Sequence, residues 1–352
     1  MTGPAVEGGT SSTEGLDTVV LATWLDQQCP GLVSGPLQAS LITGGKSNLT
    51  YTVTDGSTEI VVRRPPLGHV LATAHDMGRE YRAMAALVGS GVPVPTMHAL
   101  CEDPEVIGAS FYVMQKVVGT AYQHASQLEL LGAERTQAIS EDLVDTLGRL
   151  HAVDPAAVGL GDFGRPDGYL ERQVSRWRKQ LEASRSRTID GIDELADRLS
   201  ASIPSSSEGT IVHGDYRLDN VLIDSQNGDR MTAVLDWEMS TLGDPLTDVA
   251  VMLAYQQMAE ATRGTGAPAS VTDAPLAAGY LSRDDVLQRY AAATGRDVSD
   301  IGFHLGLAFF KLSVILEGIY LRHSKGQTLG EGFDAIGDSI GPLVQAGLAA
   351  TD

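Results

Sequence analysis

The chain has 352 residues, 43% hydrophobic and 20% charged, which supplies a substantial core and argues against global disorder. Twenty-five Lys and Arg against 45 Asp and Glu give a formal net charge of −20. That charge repels phosphate backbones and excludes broad nucleic-acid binding, although it permits a local basic pocket for one phosphorylated ligand. Two cysteines, Cys29 and Cys101, make no disulfide framework and sit in no cluster with zinc spacing, so a reducing compartment is expected.

Residues 1–15 are rich in Gly, Ser and Thr and read as a flexible tail. They lack the basic start and apolar run of a secretory signal, and a cytoplasmic location is expected. Leu16, Val19, Val20, Trp24 and Leu25 recur at helical spacing until Pro30-Gly31 stops them. Strand patterns follow at 37–42, 49–54 and 59–63, the last two joined by the turn signal Asp55-Gly56. A helix over 75–90 ends at Gly91-Val92-Pro93-Val94-Pro95, and strands are expected at 96–101 and 110–117. Helices are predicted thereafter at 126–152, 168–186, 190–201, 246–261, 283–294 and 300–323. A strand-rich island interrupts them: Ile211-Val212, then Val221–Asp224, the turn Asn227-Gly228, and Met231–Trp237. The segment 262–282, rich in Gly, Ala, Pro and Thr, reads as a surface loop or lid. The apolar stretch 301–321 is broken by His304, Lys311 and Glu317 and reads as a buried core helix rather than a membrane span.

These elements predict an α+β protein: a tail over 1–15, a small antiparallel-sheet lobe over 16–117, and a larger, mainly helical lobe over 118–352. The most informative stretch is His213-Gly214-Asp215-Tyr216-Arg217-Leu218-Asp219-Asn220, followed by Leu235-Asp236-Trp237. It groups Asp215, Asn220 and Asp236 around one hairpin. Phosphoryl transfer needs such a set: a carboxylate to orient a hydroxyl and accept its proton, and oxygen ligands to hold Mg2+ against phosphates.

His-x-Asp with Asn five residues after the Asp, then Asp236-Trp237-Glu238, resembles the catalytic and metal loops of the aminoglycoside phosphotransferase-like kinases. The resemblance extends through Gly243-Asp244-Pro245-Leu246-Thr247-Asp248, Gly44-Gly45-Lys46-Ser47-Asn48, Val61-Val62-Arg63-Arg64-Pro65-Pro66 and Arg79-Glu80-Tyr81-Arg82. The wording is most similar to a branch that includes the kinase-like domain fused to acyl-CoA dehydrogenases in animals, with stand-alone bacterial relatives. No flavin-binding region accompanies it here, so a dehydrogenase is not expected within these 352 residues.

The resemblance implies a protein-kinase-like, two-lobed fold and an ATP- and Mg2+-dependent phosphotransferase acting on the hydroxyl of a small molecule. Asp215 would be the catalytic base or hydroxyl orienter, and Asn220 and Asp236 the metal ligands. His213 would support the loop. Gly45, Lys46, Ser47 and Asn48 would cover the ATP phosphates, and Glu80 would partner the phosphate-binding cation. Where the family places a lysine, this chain has Arg63, or Arg64 if the register slips by one; strand alternation lets only one face the nucleotide, and Arg63 is preferred. Met114, Gln115 and Val117 would form the adenine side at the hinge. For the acceptor, the branch points to a hydroxyacyl compound or hydroxyacyl-CoA and a link to acyl-CoA enzymes, and Arg172, Arg176, Arg178 and Lys179 form a basic cluster on one predicted helix. A nucleotide-binding pseudokinase and an aminoglycoside kinase are the alternatives. No membrane partner is expected.

Overall fold

The computed structural model describes residues 13–42, 48–67, 76–205, 209–263, 272–326 and 336–352. The chain forms two compact units, one of residues 1–88 with 94–117, the other of 89–93 with 118–352.

The first unit contains α1 (Thr18–Gln28), β1 (Gln38–Leu41), β2 (Leu49–Thr54), β3 (Glu59–Arg64), α2 (Met77–Leu87), β4 (Met97–Cys101) and β5 (Phe111–Gln115). The five strands make one antiparallel sheet in the order β1-β2-β3-β5-β4. Local chemistry sets its boundaries. Asp17 and Asp76 cap α1 and α2 by accepting bonds from Val19 and Val20, and from Arg79. At the turn between β2 and β3, Asp55 accepts from the N–H groups of Ser57 and Thr58, and Gly56 takes φ +93°. Alternation divides the strands between two faces. Tyr51, Val53, Ile60, Val62, Phe111 and Val113 pack with Leu21 and Leu25 of α1. Val61, Arg63, Tyr112 and Met114 alternate with them, and Arg63 meets Glu80 of α2.

The second unit contains α3 (Ala125–Glu129), α4 (Ala133–Ala152), α5 (Tyr169–Ser184), α6 (Ile192–Ala201), β6 (Thr210–Val212), β7 (Val221–Asp224), β8 (Arg230–Val234) and β9 (Thr241–Gly243). It continues with α7 (Leu246–Thr262), α8 (Arg283–Thr294), α9 (Gly302–Ser324) and α10 (Ile340–Ala350). The helix expected over 126–152 is two helices, because Gly132 at φ +88° breaks the chain between α3 and α4. Two small antiparallel pairs, β6 with β9 and β7 with β8, are embedded among the helices. Gly89–Pro93 belongs to this unit, where the Pro93 carbonyl accepts from the N–H of Val234 at 2.8 Å.

Helix α9 is the core of the second unit: Phe303, Leu307, Phe310 and Val314 pack against Val174, Trp177 and Leu181 of α5, Ile192 and Leu195 of α6, and Ile340 and Val344 of α10. Its length and composition would let it cross a membrane, but 72% of its apolar window is buried inside the protein. The three polar residues that interrupt it are also buried. Glu317, for example, accepts from the N–H and hydroxyl of Ser186 and pairs with Arg187. Of the segment 262–282, expected as a surface loop or lid, residues 264–271 lie outside the described residues, and 272–282 is a loop that is anchored in part. Thr272, Ala274 and Ala277 are buried, and the Gln123 carbonyl accepts from Thr272 Oγ1 and from the N–H groups of Asp273 and Ala274.

Candidate functional site

In the first unit, Glu80 is the centre of a buried polar group. Its Oε2 lies 3.2 Å from Arg63 Nε and accepts from the Tyr112 hydroxyl at 2.9 Å, while Oε1 accepts from Asn48 Nδ2 at 3.2 Å. A fully buried carboxylate is costly unless it is paired and hydrogen-bonded, and these contacts meet that need. Arg64 points to the opposite face, where it donates to the carbonyl of Ile107 at 2.8 Å and to that of Gly15. Burial lowers the pKa of Arg64 from its ordinary value. Tyr112 was not among the residues singled out from sequence. Its signal is alternation, since it is the cross-strand partner of Arg63 and shares that face with Met114.

Gly45, Lys46 and Ser47 lie outside the described residues. Met114 is buried in β5 opposite Val61. The Gln115 N–H donates to the Thr96 carbonyl at 2.8 Å, so that donor is already committed within the unit. The Val117 N–H has no acceptor among the described residues.

In the second unit, β6 runs into His213-Gly214-Asp215, and a network of bonds fixes this loop. Asp248, in the first turn of α7, accepts from the N–H groups of His213 and Gly214, both at 2.7 Å. His151 Nε2 lies 3.2 Å from the same carboxylate, and the Tyr290 hydroxyl is 2.7 Å from His151 Nδ1. Burial alone would raise the Asp248 pKa, but the bonds from His151 and the His213 backbone hold it below the ordinary value. Gly214 takes φ +86°, and a Cβ there would sit 2.7 Å from the Met239 carbonyl oxygen, so glycine is required. His213 Nδ1 accepts from the Asp215 N–H at 3.2 Å and Nε2 donates to the Leu235 carbonyl at 2.8 Å, which sets its tautomer.

Leu235 joins the three oxygen-bearing residues. Its N–H donates to the Asn220 carbonyl at 2.8 Å, and the next residue, Asp236, adopts the left-handed conformation at φ +64°, ψ +59°. Asp tolerates this region better than most residues. The turn ends β8 and starts the 3-10 turn Trp237–Met239, whose Trp237 is buried and donates Nε1–H to the Val234 carbonyl. Asn220 Nδ2 donates to the Asp215 carbonyl at 2.9 Å and to Asp215 Oδ2 at 3.1 Å. Asn220 Oδ1 therefore meets no donor among the described residues.

Asp215 is one-fifth exposed at its side chain and 3.3 Å from Arg217 Nε. Burial would raise its pKa, but Arg217, Lys311 and the Asn220 bond together lower it, so the carboxylate is ionised at neutral pH. Arg217 also pairs with Asp219 at 2.8 Å and lies over the Tyr255 ring at 4.5 Å. Lys311, from the middle of α9, donates to the Gly214 carbonyl at 2.6 Å. Arg217, Asp248 and Lys311 had no role assigned from sequence. Asp248 looks like an ordinary first-turn acid and Lys311 like an interruption of an apolar run, and only the fold brings them to one loop.

No group of three or more His, Cys, Asp or Glu side chains with metal-site geometry occurs among the described residues. A phosphate-bound Mg2+ needs less from a protein: one or two oxygen ligands, with phosphate and water completing the shell. Asn220 Oδ1 and the carboxylate of Asp236, the residue after the Leu235 whose N–H bonds the Asn220 carbonyl, are oxygen ligands of that kind.

A small antiparallel sheet with a helix ion-paired to it, and a helical unit holding an Asp–Asn–Asp hairpin, are the parts of a protein-kinase-like fold of the phosphotransferase type. Residues 38–292 match the APH phosphotransferase enzyme family, and the chain belongs to that family. Acyl-CoA dehydrogenase family member 11 of Gallus gallus is 33% identical over 353 residues, covering 98% of this chain and 45% of that protein. The chain thus spans less than half the length of this relative. A Ralstonia eutropha JMP134 crystal structure, provisionally described as an aminoglycoside phosphotransferase, shares 33% identity at a TM-score of 0.81 over 95% of this chain and 98% of that one. A thermostable mutant of aminoglycoside phosphotransferase APH(4)-Ia, solved with ADP and hygromycin B, shares the fold at a TM-score of 0.58 and 15% identity, over 94% of this chain and 97% of that one.

Proposed function

We propose that this phosphotransferase is an ATP- and Mg2+-dependent small-molecule kinase with an alcohol hydroxyl as acceptor. The observation that carries the reading is the joining of Asp215, Asn220 and Asp236: Asn220 donates to Asp215, and Leu235, the neighbour of Asp236, donates to Asn220. Asp215, ionised and held by Arg217 and Asn220, would accept the hydrogen bond of the acceptor hydroxyl, orient its oxygen and take its proton as phosphoryl transfer proceeds. Asn220 and Asp236 would hold Mg2+, whose charge neutralises the phosphates when it is bound. In the first unit, Arg63, kept in place by Glu80, would take the part the family gives to a lysine. Asn48, with Gly45, Lys46 and Ser47, would serve the phosphates. Met114 would line the adenine site and the Val117 N–H would contact the base. Positioning and charge then supply most of the rate.

For the acceptor, we favour a hydroxyacyl compound carried on a phosphate-bearing thioester such as coenzyme A, in line with the relative's name. Arg172, Arg176 and Lys179 line a shallow, open surface cavity along α5, with Ser175 and Gln180, and Arg172 also donates to the carbonyls of Asp167 and Arg165. Arg178 turns away to pair with Asp197. Arg176 and Lys311 lie 5.4 and 5.8 Å from the centroid of the same Trp177 ring, which relates this cavity to the Asp215 loop. In a chain of net charge −20, cations gathered at a cavity suit an anionic ligand. The test is mass spectrometry of products from ATP, Mg2+ and a panel of hydroxyacyl-CoAs, free hydroxy acids, choline, sugars and aminoglycosides. Phosphorylation confined to the thioesters, with a raised KM for them in Arg176→Ala, supports this acceptor. Phosphorylation of an aminoglycoside alone would replace it.

A further inference from the structure

We infer that Lys311 is a positioning residue for this reaction: from α9 it fixes the Gly214–Asp215 peptide, and with it the aim of the Asp215 carboxylate. The inference rests on the kinase reading above.

A lysine has no packing reason to occupy this place. Its neighbours in the helix, Phe309, Phe310, Leu312 and Val314, are buried, and Lys311 itself is only 7% exposed. Burying an ammonium costs several kcal/mol unless its charge and donors are used. Of its three donors, one goes to the Gly214 carbonyl at 2.6 Å, and the others meet no acceptor among the described residues. The charge is balanced by Asp215 and Asp248, with Arg176 and Arg217 opposing and the Trp177 ring alongside. The ammonium therefore serves the catalytic loop rather than a wider network.

The geometry explains why that loop needs a tether. Gly214 has no side chain to restrain it and sits at a positive φ, while its N–H is held by Asp248. Because the peptide unit is planar, rotation of the Gly214–Asp215 plane would swing the Asp215 side chain, and apart from Lys311 that plane is held only by the 3.2 Å bond from the Asp215 N–H to His213 Nδ1. Holding the carbonyl from α9 removes that rotation. Two helices thus secure one residue, α7 by its N–H and α9 by its carbonyl.

The test compares wild type with Lys311→Met, which fills the space without a donor, and Lys311→Arg, which keeps both charge and donor. ADP release from Mg·ATP is followed with 3-hydroxybutyryl-CoA and, without added alcohol, with water as acceptor. Amide hydrogen exchange over residues 213–217 is measured on the same proteins. Lys311→Met is expected to lower kcat by roughly 10- to 100-fold with KM for Mg·ATP within about twofold, since small misplacements of reacting groups have costs of this order. Exchange over 213–217 should quicken in Lys311→Met, and Lys311→Arg should lie nearer wild type in both readouts. If Lys311→Met does not fold, Lys311→Gln makes the same contrast, being one bond too short to keep the reach. Wild-type kcat and unchanged exchange in the donor-less variant would overturn the inference. Absence of product from wild type itself would instead count against the kinase reading, so the two failures are separable.

Discussion

Arg63 Nε lies 3.2 Å from Glu80 Oε2, whereas its neighbour Arg64 is on the other face of the sheet, bonded to backbone carbonyls. Two adjacent arginines of the same chemistry thus have different jobs, divided by the pleat of β3. Arg63→Met should raise the KM for ATP at least tenfold. Arg64→Met should leave it within about twofold but lower stability by about 1–3 kcal/mol, because buried carbonyls lose a charged donor. ATP titrations and denaturant melts on both variants check this contrast.

Asp215→Ala should bind nucleotide like wild type while kcat falls by about 10^2- to 10^4-fold, the range expected for a positioned proton acceptor. Asp236→Ala should weaken nucleotide binding only when Mg2+ is present, and EDTA should abolish that difference. Calorimetry with and without the metal distinguishes the two roles.

Asp248 clamps the loop that carries Asp215. Asp248→Asn should cost about 2–4 kcal/mol, because one amide oxygen cannot replace a carboxylate that accepts from two N–H groups and His151. The folded-state pKa of Asp248 is lowered, so its contribution is fully present above the unfolded value of about 3.9 and is lost as pH falls through the folded value. Thermal melts should therefore show wild type losing more stability than Asp248→Asn on acidification below about pH 4.

Gly214→Ala combines an unfavourable positive φ with a clash against the Met239 carbonyl. It should lower stability by about 2 kcal/mol or more and suppress turnover beyond that loss, as measured by melts and by activity at matched folded fraction.

The sequence revealed the elements whose signals are local. The Asp55-Gly56 turn, the helical spacing of α1 and α2 and the apolar run of α9 mark boundaries close to those observed. The grouping of Asp215, Asn220 and Asp236 was legible because two of them share one eight-residue stretch and the third follows a short hairpin. What was hidden depends on distant partners. Strand β9 is three residues long and exists through pairing with β6, so it has no period to detect. Alternation separates Arg63 from Arg64 but does not by itself say which faces Glu80, since β3 is buried on both faces; the preferred Arg63 is the one that pairs with it. The composition of 262–282 resembles a loop, yet Thr272 and Ala274 are buried through contacts with Gln123, some 150 positions earlier. Asp248 and Lys311 gain meaning only when α7 and α9 are brought to the Gly214 peptide.

The most direct test of the central claim is product analysis by mass spectrometry, with Asp215→Ala as control, after incubation with ATP, Mg2+ and the mixed acceptor panel. A phosphorylated alcohol formed by wild type and absent from Asp215→Ala is the predicted result. Wild type that binds Mg·ATP yet phosphorylates none of the panel, or equal product from Asp215→Ala, would contradict it.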